Sequence, residues 1–399
     1  MVSERFSWPA LSYEQLPWTS RGDVPMSRQA QRRVRGEYLA AIVPPIATTA
    51  VSLPPEILAE AEDAATEVAR FDAEAGGEIS PFAAVLLRSE SAASSRIENL
   101  TASARAIAEA ELGFGSRNAN MIVANQQAMT AAVALANRID SGAILQMHQA
   151  LLASAQPDIA GKWREEQVWI GGTTVSPHGA LFVPPHHRHI RAAIDDLLAF
   201  VSRTDIPTLT HAALAHAQFE TIHPFADGNG RTGRALVHAQ LRNARLTRHV
   251  TVPVSSGLLA NVEAYFEALT DYRNGNPGPI VQRFSEAAFL ATANGRRLVA
   301  DLRTIRSTWE TRIRARRDSA AWRVADLLLR QPVVNARFAA NELNVAPNNV
   351  YRLFEPLLRA EVIVEFSNKR RDQLWRAPEV LAVLDAFAQR ASRRRRPTA

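Results

Sequence analysis

Between about Pro54 and Ala291 apolar residues recur at three- and four-residue spacing and strand-like alternation is scarce, so the body of the chain must be mainly α-helical. The spacing predicts helices over 55–71, 81–94, 102–112, 118–137 and 141–153. Helices resume near His189 and are expected over 210–222, 231–245, 261–272 and 278–290, followed by a charged helical connector over 293–317. The Pro81 start suits a proline in a first helical turn. The one interruption is REEQVWIGGTTVSPHGALFVPPHHRH. Two short β-rich runs, Val168 to Ile170 and Leu181 to Val183, flank turn residues there and predict a hairpin. Residues 1 to about 50, rich in proline and aromatics, read as an extended leader on the helical body.

From Ser319 the order becomes helix, helix, turn, helix and two β-rich runs, which reads as a winged helix-turn-helix whose second motif helix begins near Asn348. The expected organisation is 1–115, a leader and helical region with a distinct helix at about 81–99; 116–292, a helical core; 293–318, a helical linker; 319–390, the winged helix; and 391–399, a basic tail. A chain of 399 residues with 47% apolar content is long enough for more than one such core. The absence of cysteine excludes disulfides, thiolate metal sites and cysteine nucleophiles. With no signal-peptide pattern and no apolar run of membrane-spanning length, a cytoplasmic protein without a membrane partner is expected.

The net charge is +6, and Lys162 and Lys369 are the only lysines among 46 basic residues. Arginine richness in both halves is read first as compositional bias. Even so, Arg312, Arg314, Arg316 and Arg317 form one cluster and Arg393 to Arg396 another, either of which suits phosphates or acidic surfaces.

The segment His223-Pro-Phe-Ala-Asp-Gly-Asn-Gly-Arg-Thr-Gly-Arg234 lies between two amphipathic helices. Gly228 and Gly230 permit a tight turn in which successive amide N–H groups point into one concavity at a helix start, where the helix dipole favours an anion. Arg231 and Arg234, three residues apart, share a face beside that nest and can fork onto phosphate. Asp227 offers one hard carboxylate, and Mg²⁺ commonly binds through one or two carboxylates together with substrate phosphates. His223 is the group in the motif that can accept a proton near neutral pH, so it is the candidate base for an attacking hydroxyl. The bland alternative is a helix-turn-helix whose glycines merely close a turn.

HPFADGNGRTGR satisfies every specified position of the Fic-domain signature HPFx[D/E]GNGRxxR, and the chain resembles that family from about Pro54 to Ala291. The resemblance implies transfer of AMP from ATP, with Mg²⁺, to a Ser, Thr or Tyr hydroxyl of a protein, pyrophosphate leaving. It gives His223 the role of base, Asp227 that of Mg²⁺ ligand, Gly228, Asn229 and Gly230 the phosphate cradle, and Arg231 and Arg234 the distal phosphates. Phe225 is expected to pack inward. The chain lacks the lysine-containing loop of relatives that phosphorylate instead.

Ser94-Ser-Arg-Ile-Glu98-Asn99 resembles the family's inhibitory motif, [S/T]xxxE[G/N], in which Glu98 would pair with Arg234 in the γ-phosphate's space. On its own that pattern is an ordinary helical sequence, and Glu98 could also position a water for removal of AMP, a reverse activity of some relatives. Residues 168–185 resemble the flap that aligns a target backbone by strand addition, with Ile170, Gly171, Gly172 and Phe182 as docking residues. Tyr265, Phe266 and Arg273 stand where relatives place adenine-pocket residues. His186, His187 and His189 invite a metal but read more simply as a solvated turn. The C-terminal module, with Asn348, Asn349, Arg352, Lys369, Arg370 and Arg371, admits a DNA or a protein partner. The rival reading is a nucleotide-sensing DNA-binding regulator. Homodimerisation is left open.

Overall fold

The computed structural model describes residues 8–18, 36–76, 81–366 and 373–392. The wing residues Lys369, Arg370 and Arg371 and the tail arginines therefore lie outside the described residues.

The described part of the leader contains two paired strands. β1 (Ser12–Trp18) pairs antiparallel with β2 (Gly36–Ile42), Tyr13 opposite Ala41 and Trp18 opposite Gly36. Pro17 and Gly36 break the alternation that would have marked these strands in sequence, and cross-strand pairing supplies what local propensity does not. The pair is tied to the body through Leu11 N–H to the Arg273 carbonyl at 2.9 Å and Ala41 N–H to the Val183 carbonyl at 3.0 Å.

Five helices follow: α1 (Pro55–Gly76), α2 (Pro81–Ile97), α3 (Ala104–Glu111), α4 (Arg117–Ala134) and α5 (Ser141–Leu152). Ser103, Ser116 and Asp140 cap the last three, each side chain accepting an N–H from the first turn. α6 (Ile190–Val201) leads into the central pair α7 (Thr208–Ile222) and α8 (Asn229–Asn243). Residues 209–222 of α7 are buried on every side, so this helix is the axis of the bundle, and the signature loop joins its C-terminus to the N-terminus of α8.

Beyond α9 (Val254–Leu258) and α10 (Val262–Arg273), α11 runs unbroken from Gly278 to Arg312. The break expected between a core ending at 292 and a linker starting at 293 is not there. No proline interrupts 290–295, and although Thr292, Asn294 and Gly295 are residue types that often cap helices, Ala291, Thr292 and Gly295 are buried, with Gly295 lying against the Phe71 ring. A helix of 35 residues is about 50 Å long, and it joins the bundle to the C-terminal elements.

Those elements are α12 (Ala320–Arg330), β3 (Val333–Asn335), α13 (Ala336–Leu343), α14 (Pro347–Arg359), β4 (Val364–Glu365), β5 (Leu374–Arg376) and α15 (Pro378–Ala391). The three strands form an antiparallel sheet in the order β3-β5-β4. Asn344, at φ 52°, ends α13 in the left-handed region, and α14 starts one residue before the expected Asn348.

The module packs on the back of α2. Arg88 donates to Glu111 at 2.7 and 3.1 Å, to the Arg330 carbonyl at 2.6 Å and to Gln331 Oε1 at 2.7 Å, and Gln331 Nε2 reaches the Ala108 carbonyl at 3.0 Å. One contiguous apolar core runs from Phe71, Leu214 and Phe284 to Leu328, Phe354 and Trp375. Removing one member of a buried, fully bonded charge cluster strands the others, at a cost of about 3–5 kcal/mol. Arg88→Ala should therefore lower the unfolding free energy, read from urea denaturation, by an amount near the low end of that range, and a loss below about 1 kcal/mol would mean that the clamp is not structural.

Candidate functional site

α7 ends at His223, whose φ of 50° and ψ of 60° put a non-glycine residue in the left-handed region. Gly228, at φ 77°, caps α8, and a Cβ there would come within 2.9 Å of Leu151. Between these two reversals the loop is braced from inside. Asn229 accepts the Phe225 N–H at 2.8 Å and donates to the Phe225 carbonyl at 2.9 Å, so its side chain closes the loop and only its backbone is left to face an anion. Phe225 is wholly buried between the His148 ring at 3.7 Å and the Trp163 ring at 4.9 Å. His148 accepts the Gly161 N–H on Nδ1, so Nε2–H donates to the Asp227 carbonyl at 3.0 Å.

His223, Asp227, Gly228, Asn229, Gly230 and Arg231 line a cavity of about 280 Å³ together with Glu98, Leu100 and Met121. Burial, reinforced by the cations Arg164 and Arg273, lowers the His223 pKa to about 3. The imidazole is thus neutral at physiological pH, and its buried Nδ1 has no hydrogen-bond partner. Arg231 is 3% exposed, stands 3.5 Å from Asp227, and leaves Nε and Nη1 without a partner. Buried guanidinium donors left open beside a helix N-terminus are what an arriving phosphate would satisfy.

Arg234 is fully engaged. Its Nε donates to Ser94 Oγ at 2.9 Å, and its Nη2 donates to the Ser94 carbonyl at 2.9 Å and to Glu98 Oε1 at 2.8 Å. Burial alone would lower its pKa, but the Glu98 carboxylate, Tyr265 and Glu220 together hold it above the ordinary value. A Cβ on Gly230 would fall 2.0 Å from Glu98 Oε1, so the carboxylate rests directly on the bare start of α8. The position after it is Asn99 for a backbone reason. Asn99 takes φ 61°, and the Leu100 N–H closes onto the Ser95 carbonyl at 3.0 Å, a left-handed cap that ends α2 with Glu98 facing α8.

Asp227 carries a carboxylate that is half exposed at the cavity, accepting Gln156 Nε2 at 2.6 Å and the Gly228 N–H at 2.5 Å. Among the described residues no three His, Asp or Glu side chains converge on a metal position. Asp227 is thus a single carboxylate, and any ion it held would need further oxygens from a ligand or water.

The other expected residues are placed differently. The flap is reduced to a single antiparallel bridge, Ile170 with Phe182, because Gly171 and Gly172 both adopt positive φ and turn the strand away. Phe182 lies beneath the Arg273 guanidinium, 3.8 Å from its ring centroid, while Leu181 is 86% exposed at the tip. Tyr265 is 1% exposed and bonds to His216 at 2.8 Å, Phe266 faces solvent, and neither they nor Arg273 line the cavity. His189 bonds to Glu14 at 2.9 Å and Arg188 also pairs with Glu14, so this turn anchors β1.

Three functional neighbours carried no sequence signal strong enough to find them. Arg164 holds the backbone of His223 and Pro224. Glu90 is buried on α2, taking His238 Nε2 and the Ser255 N–H, each at 2.8 Å. Glu220 is buried near Arg234, and burial raises its pKa to about 7. Their only trace in sequence is a charged residue on an otherwise apolar helix face or before a turn.

The helical bundle thus brings a glycine-rich loop, the open donors of Arg231 and a neutral histidine to one cavity, a setting into which a phosphate-bearing ligand would fit. Residues 138–241 match the Fic/DOC family. Over 101 residues it is 35% identical to a protein named protein adenylyltransferase Fic from Drosophila willistoni, a stretch amounting to 25% of this chain and 19% of that one. It is 34% identical over 98 residues to protein adenylyltransferase fic-1 of Caenorhabditis elegans, 24% of this chain and 18% of the relative. The chain thus spans about a fifth of the length of these curated relatives. A crystal structure of a Fic family protein from Desulfovibrio desulfuricans G20 covers 82% of this chain and 97% of its own at a TM-score of 0.52 and 21% identity, a likeness of fold. Among the described residues no helix is long and apolar enough to cross a membrane.

The buried imidazoles predict a pH dependence. His148, His216 and His223 are all lowered by burial, to about 4, 3 and 3, from an ordinary 6.5. Between pH 6.5 and 4 the unfolded chain binds those protons and the folded one does not, so stability falls as pH falls. Glu220 opposes this, because its raised pKa lets the folded state take a proton first between pH 7 and 4.5. The melting temperature should therefore drop from pH 7 to 5, and more steeply in Glu220→Gln. A slope unchanged by that substitution would contradict the assignment.

Proposed function

We propose that this protein is a protein adenylyltransferase restrained by its own Glu98. The observation that carries the reading is that the anion seat at the start of α8 is already filled by an anion, the Glu98 carboxylate on Arg234 and Gly230. The names of the Drosophila and Caenorhabditis relatives support the reaction class over the stretch they share.

In this reading the substrate is ATP, and Asp227 together with the phosphate oxygens would hold a Mg²⁺ ion, which would supply charge neutralisation for the leaving pyrophosphate. The α8 N-terminus and Arg231 take the phosphates. Arg234 takes the γ-phosphate once Glu98 has withdrawn. A hydroxyl oxygen of the target protein attacks the α-phosphorus, the bond from that phosphorus to the bridging oxygen breaks, and pyrophosphate leaves with those electrons. The hydroxyl proton passes to His223, whose depressed pKa keeps it neutral before the step. With Glu98 in place the γ-phosphate has no seat, and the α-phosphorus is not lined up for attack. Removal of AMP by a water held on Glu98 uses the same pocket and is the secondary reading of that carboxylate.

The C-terminal module supports a rival in which the nucleotide is sensed and not consumed. Asn348, Asn349 and Arg352 are exposed on α14, the helix that would enter a DNA groove, and the same face would suit a protein partner. Catalytic turnover separates the two readings. Competition between a carboxylate and a phosphate for one guanidinium is worth about 1–3 kcal/mol, or roughly 5–150-fold. Glu98→Gly should raise incorporation of label from α-labelled ATP by that order, with pyrophosphate released in equal amount. Adding His223→Ala should cut it by about a hundredfold or more. Equal labelling with and without Glu98 would contradict the restraint, and no pyrophosphate from the Glu98→Gly protein would favour the sensor.

A further inference from the structure

Arg164 does something that the proposed reaction does not otherwise account for. The residue is 4% exposed, and its side chain radiates to three main-chain carbonyls: Nε to His223 at 2.8 Å, Nη1 to Glu166 at 2.8 Å and Nη2 to Pro185 at 2.5 Å. Its own N–H adds a fourth bond, to the Pro224 carbonyl at 3.0 Å. Two of these four carbonyls belong to the first residues of the signature loop, and a third ends the return leg of the flap. Next to it Gln167 Nε2 holds the Pro184 carbonyl at 2.8 Å, and Gln167 in turn accepts from Tyr38 of β2 at 3.1 Å.

The site of this grip is the strained point of the loop. His223 sits in the left-handed region, where a non-glycine residue persists only if its surroundings over-determine it. Rotation of the His223 peptide would swing the imidazole away from the cavity, and the Arg164 side chain holds the His223 carbonyl through Nε while its main-chain N–H holds that of Pro224. A guanidinium is planar and rigid, so fixing one nitrogen on His223 and another on Pro185 fixes the distance between catalytic loop and flap base. An ammonium in its place is a point donor and cannot span both.

Resting on the adenylyltransferase reading, we propose that Arg164 is a positioning residue for the transfer: it holds the His223 imidazole in register with the flap that presents the target hydroxyl. Arg164 lies outside the cavity formed by His223, Asp227, Gly230 and Arg231 and lines instead the open groove on the other side of Ala226, with Trp163 and Arg188. Its loss should consequently affect the chemical step and spare nucleotide affinity, a separation that loss of a plain scaffold residue would not produce.

The test uses the full-length chain with Glu98→Gly, alone and combined with Arg164→Lys or Arg164→Gln. Self-labelling from α-labelled Mg·ATP gives the rate, titration of Mg·ATP into the same proteins carrying His223→Ala gives affinity, and circular dichroism gives folding. A displacement near 1 Å costs on the order of a hundredfold in rate. Both Arg164 variants should therefore lose about that factor in rate at saturating ATP while binding Mg·ATP within about twofold of the parent, with helical content retained. Labelling within about threefold of the parent would overturn the proposal. So would variants that unfold, or that lose affinity in step with rate, because Arg164 would then be a scaffold residue. No labelling by Glu98→Gly itself would count against the adenylyltransferase reading, and a parent that labels beside variants that label equally well would count against Arg164 alone.

Discussion

Arg234 is a cation with almost no access to water, and the geometry around it follows from the need to keep it paired. Its side chain is 3% exposed, and an unpaired charge at that depth costs several kcal/mol, so whatever conformation the chain adopts must bring an acceptor to it. Ser94 supplies two acceptors from within α2, while Glu98 supplies the charge from its end. The rest of α2 is placed to make this contact hold: Glu90 joins it to α8 through His238, Arg88 joins it to α3 and the C-terminal module, and Asn99 ends it one residue past the carboxylate. Glu98 is the most exposed participant in that cluster, at 38%, which makes it the partner that can leave at least cost when another anion offers itself.

Arg231 shows the complementary condition. It has the same parent helix and nearly the same burial, yet two of its donors have no partner, and the Asp227 carboxylate stands 3.5 Å away. One guanidinium is satisfied by the chain and its neighbour is held ready, both at the start of one helix beside a neutral imidazole. Such a pair is difficult to explain as packing, because a protein core gains nothing from open donors. It has a straightforward meaning if a polyphosphate completes it.

Much of this was legible before the coordinates. The helices of the bundle follow the apolar spacing closely, since long periodic segments with serine or aspartate caps leave few alternatives, and the signature loop announces itself through residue types that have no other common use together. What escaped notice was non-local. β1 and β2 depend on each other and on the flap, with Pro17 and Gly36 hiding the pattern. The continuity of α11 through residue 293 comes from burial against Phe71, which no local signal reports. The flap shrinks to one bridge because two successive glycines take left-handed backbone, and Tyr265 proves to be core because His216 claims its hydroxyl. Arg164 and Glu220 were hidden for a similar reason: a charged residue becomes informative only when its burial is known.

The central claim is that one guanidinium serves two anions in turn. A crystal structure of the Glu98→Gly protein with Mg·ATP measures this most directly. The account predicts a γ-phosphate oxygen within hydrogen-bond distance of Arg234, the other phosphates on the α8 N-terminus and Arg231, and the α-phosphate facing His223. A nucleotide bound elsewhere, or one in this cavity with Arg234 still bonded to Ser94 alone, would contradict it.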